Sequence, residues 1–290
     1  MKRLFLTTVT VFFYLIAPAQ LSYVPHSEFE KHVLDSFVTE QMSADNLAIQ
    51  AAVDHDVNAG VYNQIQQTYH ELLGTLKARQ ARNQSDRQFL TWMFYKVHRK
   101  YLKAYKQYST VADMFEDGKY DCLTATSLYS LLLHDLGYEP QVIETDYHIY
   151  VMVTVDGQHV LIESTDPING IVFEEAEIAL RVANYEVETP SENEYGFNQH
   201  IHASVALKKL AGLHYYNAAV TAYNKQALVQ TLDLLEKSVL FYHSTRIVEF
   251  GTLLANAIAA DQQLSQEMKQ QSFTRIKSFL EPVTATVASR

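Results

Sequence analysis

At 290 residues, 48% hydrophobic and 19% charged, the chain can bury a full core, which excludes wholesale disorder. Nine Gly and six Pro exclude a fibrous or loop-dominated protein. A formal charge of −10, with 23 basic side chains scattered rather than striped, offers a phosphate backbone no electrostatic footprint, so nucleic acid is not an expected partner.

The N-terminus reads as a targeting signal. Met1-Lys2-Arg3 is a cationic start, Leu4 to Ile16 is apolar apart from threonines, and Ala17-Pro18-Ala19 offers small residues for cleavage before Gln20. The apolar run is too short to span a bilayer of roughly 30 Å comfortably. Residues 1–19 are therefore expected to be a signal peptide, and the mature protein to be periplasmic or secreted with no stable membrane span.

Residues 20–85 carry helical signals. Ser27 precedes Glu28-Phe29-Glu30 as an N-cap with first-turn acids, and Phe29, Val33 and Phe37 follow at helical spacing. A longer helix carries Val61, Ile65, Tyr69, Leu72, Leu73 and Leu76. Asn83-Gln84-Ser85-Asp86 caps the next, with Phe89, Trp92, Met93 and Val97 on one side. Thr110 caps a short helix that stops at Gly118. Asp121 caps another that opens on Cys122, buries Leu128, Leu131, Leu132 and Leu136, and ends at Gly137. From Pro140 the period becomes two. Strands are expected over Gln141 to Thr145, Tyr147 to Val155 and Gln158 to Glu163, the last two joined by an Asp156-Gly157 hairpin turn. A helix over Glu174 to Tyr185 closes this region.

Glu186 to Gln199 reads as a polar linker, and residues 186–290 otherwise as helical. Ala206 to Tyr223 and Leu228 to Tyr242 form an antiparallel pair like one degenerate tetratricopeptide-type repeat. A helical cap on the core is the plainer account, since a free-standing solenoid needs about three such units.

The lone Cys122 sits in the first turn of a helix, where unpaired N–H groups and the helix dipole favour a thiolate and lower the thiol toward neutrality. Asp121 opposes this if ionised, so an ion-pairing histidine is required. His148 is the candidate. With Val155 opposite Gln158, the register puts Tyr150 opposite Glu163, and Glu163 becomes the diagonal neighbour of His148, able to accept its N–H. Asp166 has the wrong parity. His200, His202 and His214 lack a completing ligand at convincing spacing, so they are expected to be solvated surface histidines and no metal is expected. Tyr215, Tyr216 and Tyr223 read as helix packing.

The run Gly118-Lys119-Tyr120-Asp121-Cys122 with its leucine-rich helix, then His148-Ile149-Tyr150, then Glu163-Ser164-Thr165, resembles the transglutaminase-like superfamily over residues 86–185. The family's acid is usually Asp and its aromatic after the histidine Trp, where this chain has Glu163 and Tyr150. The resemblance implies an α+β fold with a papain-like core, a Cys-bearing helix against a small antiparallel sheet, here flanked by helical regions. It also implies amide hydrolysis or acyl transfer through a thioester, with Cys122 as nucleophile, His148 as proton shuttle and Glu163 as orienting acid. No cofactor is needed, the substrate would be a peptide or protein, and the C-terminal helices could hold a protein partner. The alternatives are a catalytically inactive binding module and a cross-linker using an amine acceptor.

Overall fold

A computed structural model describes residues 23–40, 45–82, 85–187 and 201–280. The expected signal peptide, His200 and most of the expected linker lie outside these residues. Among them, no helix is long and apolar enough to cross a membrane.

The fold is α+β. Eleven helices among the described residues surround a five-strand antiparallel sheet, and the C-terminal region is helical. The first helices are α1 (Glu28–Glu40), α2 (Asn46–Ala51), α3 (Ala59–Gln80) and α4 (Asp86–Tyr101). Each starts at a residue that satisfies orphan N–H groups. Ser27 Oγ accepts from Glu30 N at 3.0 Å, Asp45 caps α2, Asn58 caps α3, and Ser85 caps α4. The two-residue strand β1 (Ala104–Tyr105) follows, then α5 (Val111–Asp117) with a Thr110–Asp113 capping box. Gly118 stops α5 at φ 74°, where a side chain would be strained, and β2 (Lys119–Tyr120) pairs parallel with β1.

Helix α6 (Cys122–Asp135) starts at Asp121, whose carboxylate accepts from Thr124 N at 2.8 Å while the Thr124 hydroxyl caps Asp121 N in return. Strands β3 (Gln141–Thr145), β4 (Ile149–Val155), β5 (Gln158–Ile162) and β6 (Ile171–Val172) lead to α7 (Glu175–Val187). The hairpin has positive φ at both Asp156 and Gly157, and its register pairs Val155 with Gln158 through Val151 with Ile162. Strand β4 starts two residues later than expected, and β5 stops one residue before Glu163.

Both faces of the sheet are covered. Ile149, Val151 and Val153 join the main core on the α6 side. Tyr150 and Leu161 form a second cluster with Val172 and with Ile178, Val182 and Tyr185 of α7. Strand order is β6-β5-β4-β3-β7, and the edge strand β7 (His202–Val205) comes from beyond residue 185, past the limit expected for the central core.

After a 3-10 turn, α8 (Leu210–Asn224), α9 (Leu228–Phe241), α10 (Thr245–Ala260) and α11 (Gln266–Leu280) complete the described residues. Helices α8 and α9 cross closely at Gly212, where an added Cβ would lie 2.6 Å from Tyr242 Cβ. This region packs on the rest rather than standing apart. His214 of α8, expected at the surface, is buried against α6, with Nε2 3.0 Å from Ser127 Oγ. Burial pushes its imidazole down to about 3. Tyr215 and Tyr216 are buried too.

One buried network ties α1 to the C-terminal helices. Glu30 accepts from Tyr215 OH and Lys237 Nζ, each at 2.8 Å, and from His26 N at 2.6 Å. The side chains of Glu30 and Lys237 are 0% and 2% exposed. Burial alone would raise the Glu30 carboxyl, but His26 and Lys237 outweigh it and hold it below its ordinary value. Its stabilising contribution is present above the unfolded carboxylate value and fades as pH falls through the depressed folded value. Lys237→Met leaves a buried carboxylate without its cation, so a loss of about 3–5 kcal/mol in urea unfolding at neutral pH is expected. A loss below about 1 kcal/mol would mean that the network carries no such coupling.

Candidate active site

His148 ends a tight turn after β3. Thr145 N donates to His148 O at 2.8 Å and His148 N donates to Thr145 Oγ1 at 3.1 Å. Glu163, the first residue past β5, is held by a second turn. Its N–H donates to Gly170 O at 2.6 Å, and its Oε1 accepts from Thr165 N at 2.8 Å and Thr165 Oγ1 at 2.6 Å. The two side chains meet through a hydrogen bond between His148 Nε2 and Glu163 Oε2. Tyr185 of α7 donates to the same Oε2 at 2.8 Å and lays its ring 4.7 Å from the imidazole.

Burial raises the Glu163 carboxyl, but His148 and Thr165 outweigh it and keep it below its ordinary value. An ionised carboxylate can only accept, so Nε2 carries a proton, and in the neutral imidazole Nδ1 is left with the lone pair. Asp166, set aside on parity, caps its own loop through Ile168 N and Asn169 N and pairs with Arg181 at 3.4 Å.

Cys122 opens α6 at the same corner. Ser164 Oγ, next to Glu163, reaches the Cys122 carbonyl at the long limit of 3.5 Å. One turn into the helix, Thr126 Oγ1 lies 3.2 Å from Ser164 Oγ and donates to Ile149 O at 3.2 Å, beside His148. The structure thus joins His148 to Glu163 directly and Cys122 to them through Ser164 and Thr126. Among the described residues, no hydrogen bond joins the thiol to His148.

The thiol itself departs from the sequence expectation. Burial pushes it up to about 12, and the charges of Asp121 and Glu163 add to the rise. The N–H groups of Leu123 and Cys122, which point at the sulfur and favour the thiolate, are outweighed. The helix terminus does what was expected of it, but desolvation and two carboxyls win.

Two surrounding residues were not singled out from the sequence. Tyr185 continues the apolar stripe of Ile178 and Val182 at helical spacing, a signal that marks it as packed but not as a carboxylate ligand. His98 of α4 lies behind the acid turn, its ring 4.7 Å from Phe94, and burial pushes it down to about 4 against the pull of Asp166 and Glu163. Of the expected non-ligand histidines, His202 is exposed on β7. No group of three or more His, Cys, Asp or Glu suited to a metal occurs among the described residues.

Comparison with protein-family models, with curated proteins and with solved structures finds no match to this chain.

The raised thiol has a direct consequence. Because the thiolate is the reactive form, iodoacetamide modification of Cys122 is expected to climb with pH beyond 9, without a plateau near neutrality. A plateau with an inflection below 8.5 would reveal a thiolate–imidazolium pair instead. The acid turn has its own weak point at Gly170, where an added Cβ would lie 2.1 Å from Glu163 O and 2.3 Å from Asp166 O, both backbone atoms that cannot swing away. Gly170→Ala is expected to cost about 1–3 kcal/mol, read as a lowered urea midpoint. An unchanged midpoint would mean that the turn relaxes freely.

Proposed function

We propose that this chain is an exported thiol-dependent acyl-transfer enzyme on a papain- or transglutaminase-like core, hydrolysing amide bonds in peptides or proteins. The observation that carries this reading is the half-buried His148–Glu163 hydrogen bond, which leaves His148 Nδ1 as the only ring nitrogen able to take a proton.

In the proposed reaction Cys122 Sγ attacks the substrate carbonyl carbon while its proton passes to His148 Nδ1. Glu163 steadies the imidazolium that forms. The tetrahedral oxyanion is held by the backbone N–H of Cys122. Collapse breaks the carbon–nitrogen bond, and His148 returns the proton to the leaving amine, giving a thioester and free amine. Water then attacks with His148 as base, releasing the acid and restoring the thiol. A thiol that begins neutral calls for this concerted proton removal rather than a standing ion pair. No cofactor or metal is required.

A second reading, a non-catalytic binding module that keeps the fold, draws support from the same raised thiol and from the Tyr185 ring over His148. Acylation by p-nitrophenyl acetate separates the two. The enzyme reading expects a Cys122 acetyl thioester by mass spectrometry, absent in Cys122→Ala and formed about 10²–10⁴-fold more slowly in His148→Ala. Equal rates for the wild type and His148→Ala would leave the binding module.

A further inference from the structure

The turn that carries His148 is gripped from the C-terminal helical region by one side chain. Arg246 stands in the first turn of α10. Its Nε donates to Glu144 Oε1 at 3.0 Å, and its Nη2 donates to the backbone carbonyls of Thr145 and Asp146 at 2.8 and 2.9 Å. Thr145 is the residue that bonds His148 across the turn, and Asp146 is the first of the two residues between them.

The placement has no helical rationale. A cation in the first turn of a helix opposes the macrodipole, so Arg246 costs α10 stability unless its contacts compensate. Its partners are suited to it. Glu144 is buried, with a side chain 4% exposed, and only a planar fork can serve a carboxylate and two carbonyls together. Glu144 Oε2 is held separately by Tyr242 OH at 3.0 Å, and Ile201 N donates to Asp146 Oδ1 at 2.6 Å. The β3 end is thus fixed on several sides, and Arg246 holds both turn carbonyls with one nitrogen.

We propose that Arg246 is a positioning residue for His148, setting the turn conformation that aligns its Nε2 with Glu163. This rests on the acyl-transfer reading for its catalytic meaning, and makes the C-terminal helices part of the site rather than only a partner-binding appendage. Lysine cannot reproduce the fork. In the full chain, Arg246→Lys is therefore expected to slow Cys122 acylation by p-nitrophenyl acetate roughly tenfold or more. It should also move the Nε2–H proton resonance of His148, followed by NMR of labelled histidine, as the Glu163 contact loosens. Tyr242→Phe removes a neighbouring hydrogen bond to Glu144 without touching the turn carbonyls and should change neither reading. Circular dichroism melts keep loss of fold distinct from loss of alignment.

The proposal is overturned if Arg246→Lys, folded, keeps the wild-type His148 Nε2–H resonance, or if Tyr242→Phe moves it equally. If His148→Ala acylates at the wild-type rate, the acyl-transfer reading fails. The resonance still decides whether Arg246 sets His148.

Discussion

A charged carboxylate in a protein interior is tolerated only where donors surround it, and Glu163 has four: His148, Tyr185 and the Thr165 hydroxyl and N–H. Meeting that requirement sets much of the nearby architecture. It needs β5 to end at Ile162 so that the chain can turn, and Gly170 to let Glu163 and Asp166 carbonyls crowd against it. It needs α7 to lie across the second face of the sheet so that Tyr185 can reach the acid. It needs His148 at the mouth of β4 with a fixed ring. Each of these would be a curiosity alone. Together they are the set of donors that one buried carboxylate demands.

The thiol obeys the same physics with the opposite result. A helix N-terminus favours an anion by at most about 2 kcal/mol. A thiol raised to about 12 from an ordinary value of 9.0 reflects roughly 4 kcal/mol against the thiolate. Desolvation and the Asp121 and Glu163 charges therefore exceed the dipole by a clear margin. Glu163 plays two parts here: it accepts the His148 hydrogen bond, and its charge disfavours a thiolate at Cys122.

What was legible in the sequence was local. Asp121, Gly118 and Gly137 mark helix ends through capping chemistry that acts within a few residues. The Asp156-Gly157 turn fixed the β4–β5 register, and with it the proximity of His148 and Glu163, because a two-residue loop leaves one pairing. What stayed hidden depends on distant contacts. Strand β7 exists only because Val142 to Thr145 offer it an edge. His214 reads as a surface histidine until α8 lies on α6 and presents Ser127. The thiol's desolvation stayed hidden for the same reason: its helix position is visible in the sequence, while what packs around it is a property of the assembled fold.

The polar joints between the C-terminal helices and the rest argue that this region and the site form one cooperative unit. Glu30 meets Tyr215 and Lys237, Ser127 meets His214, and the β3 turn meets Arg246. Apolar packing would tolerate sliding of one layer over another, since it is non-directional. Buried hydrogen bonds do not, because a shift of an ångström leaves donors and acceptors unpaired at a cost of about 1–3 kcal/mol each. One of these joints lies on the helix that begins with Cys122 and another on the turn that delivers His148. The relative placement of the candidate nucleophile and base is therefore held through α8 and α10 as well as through the sheet between them.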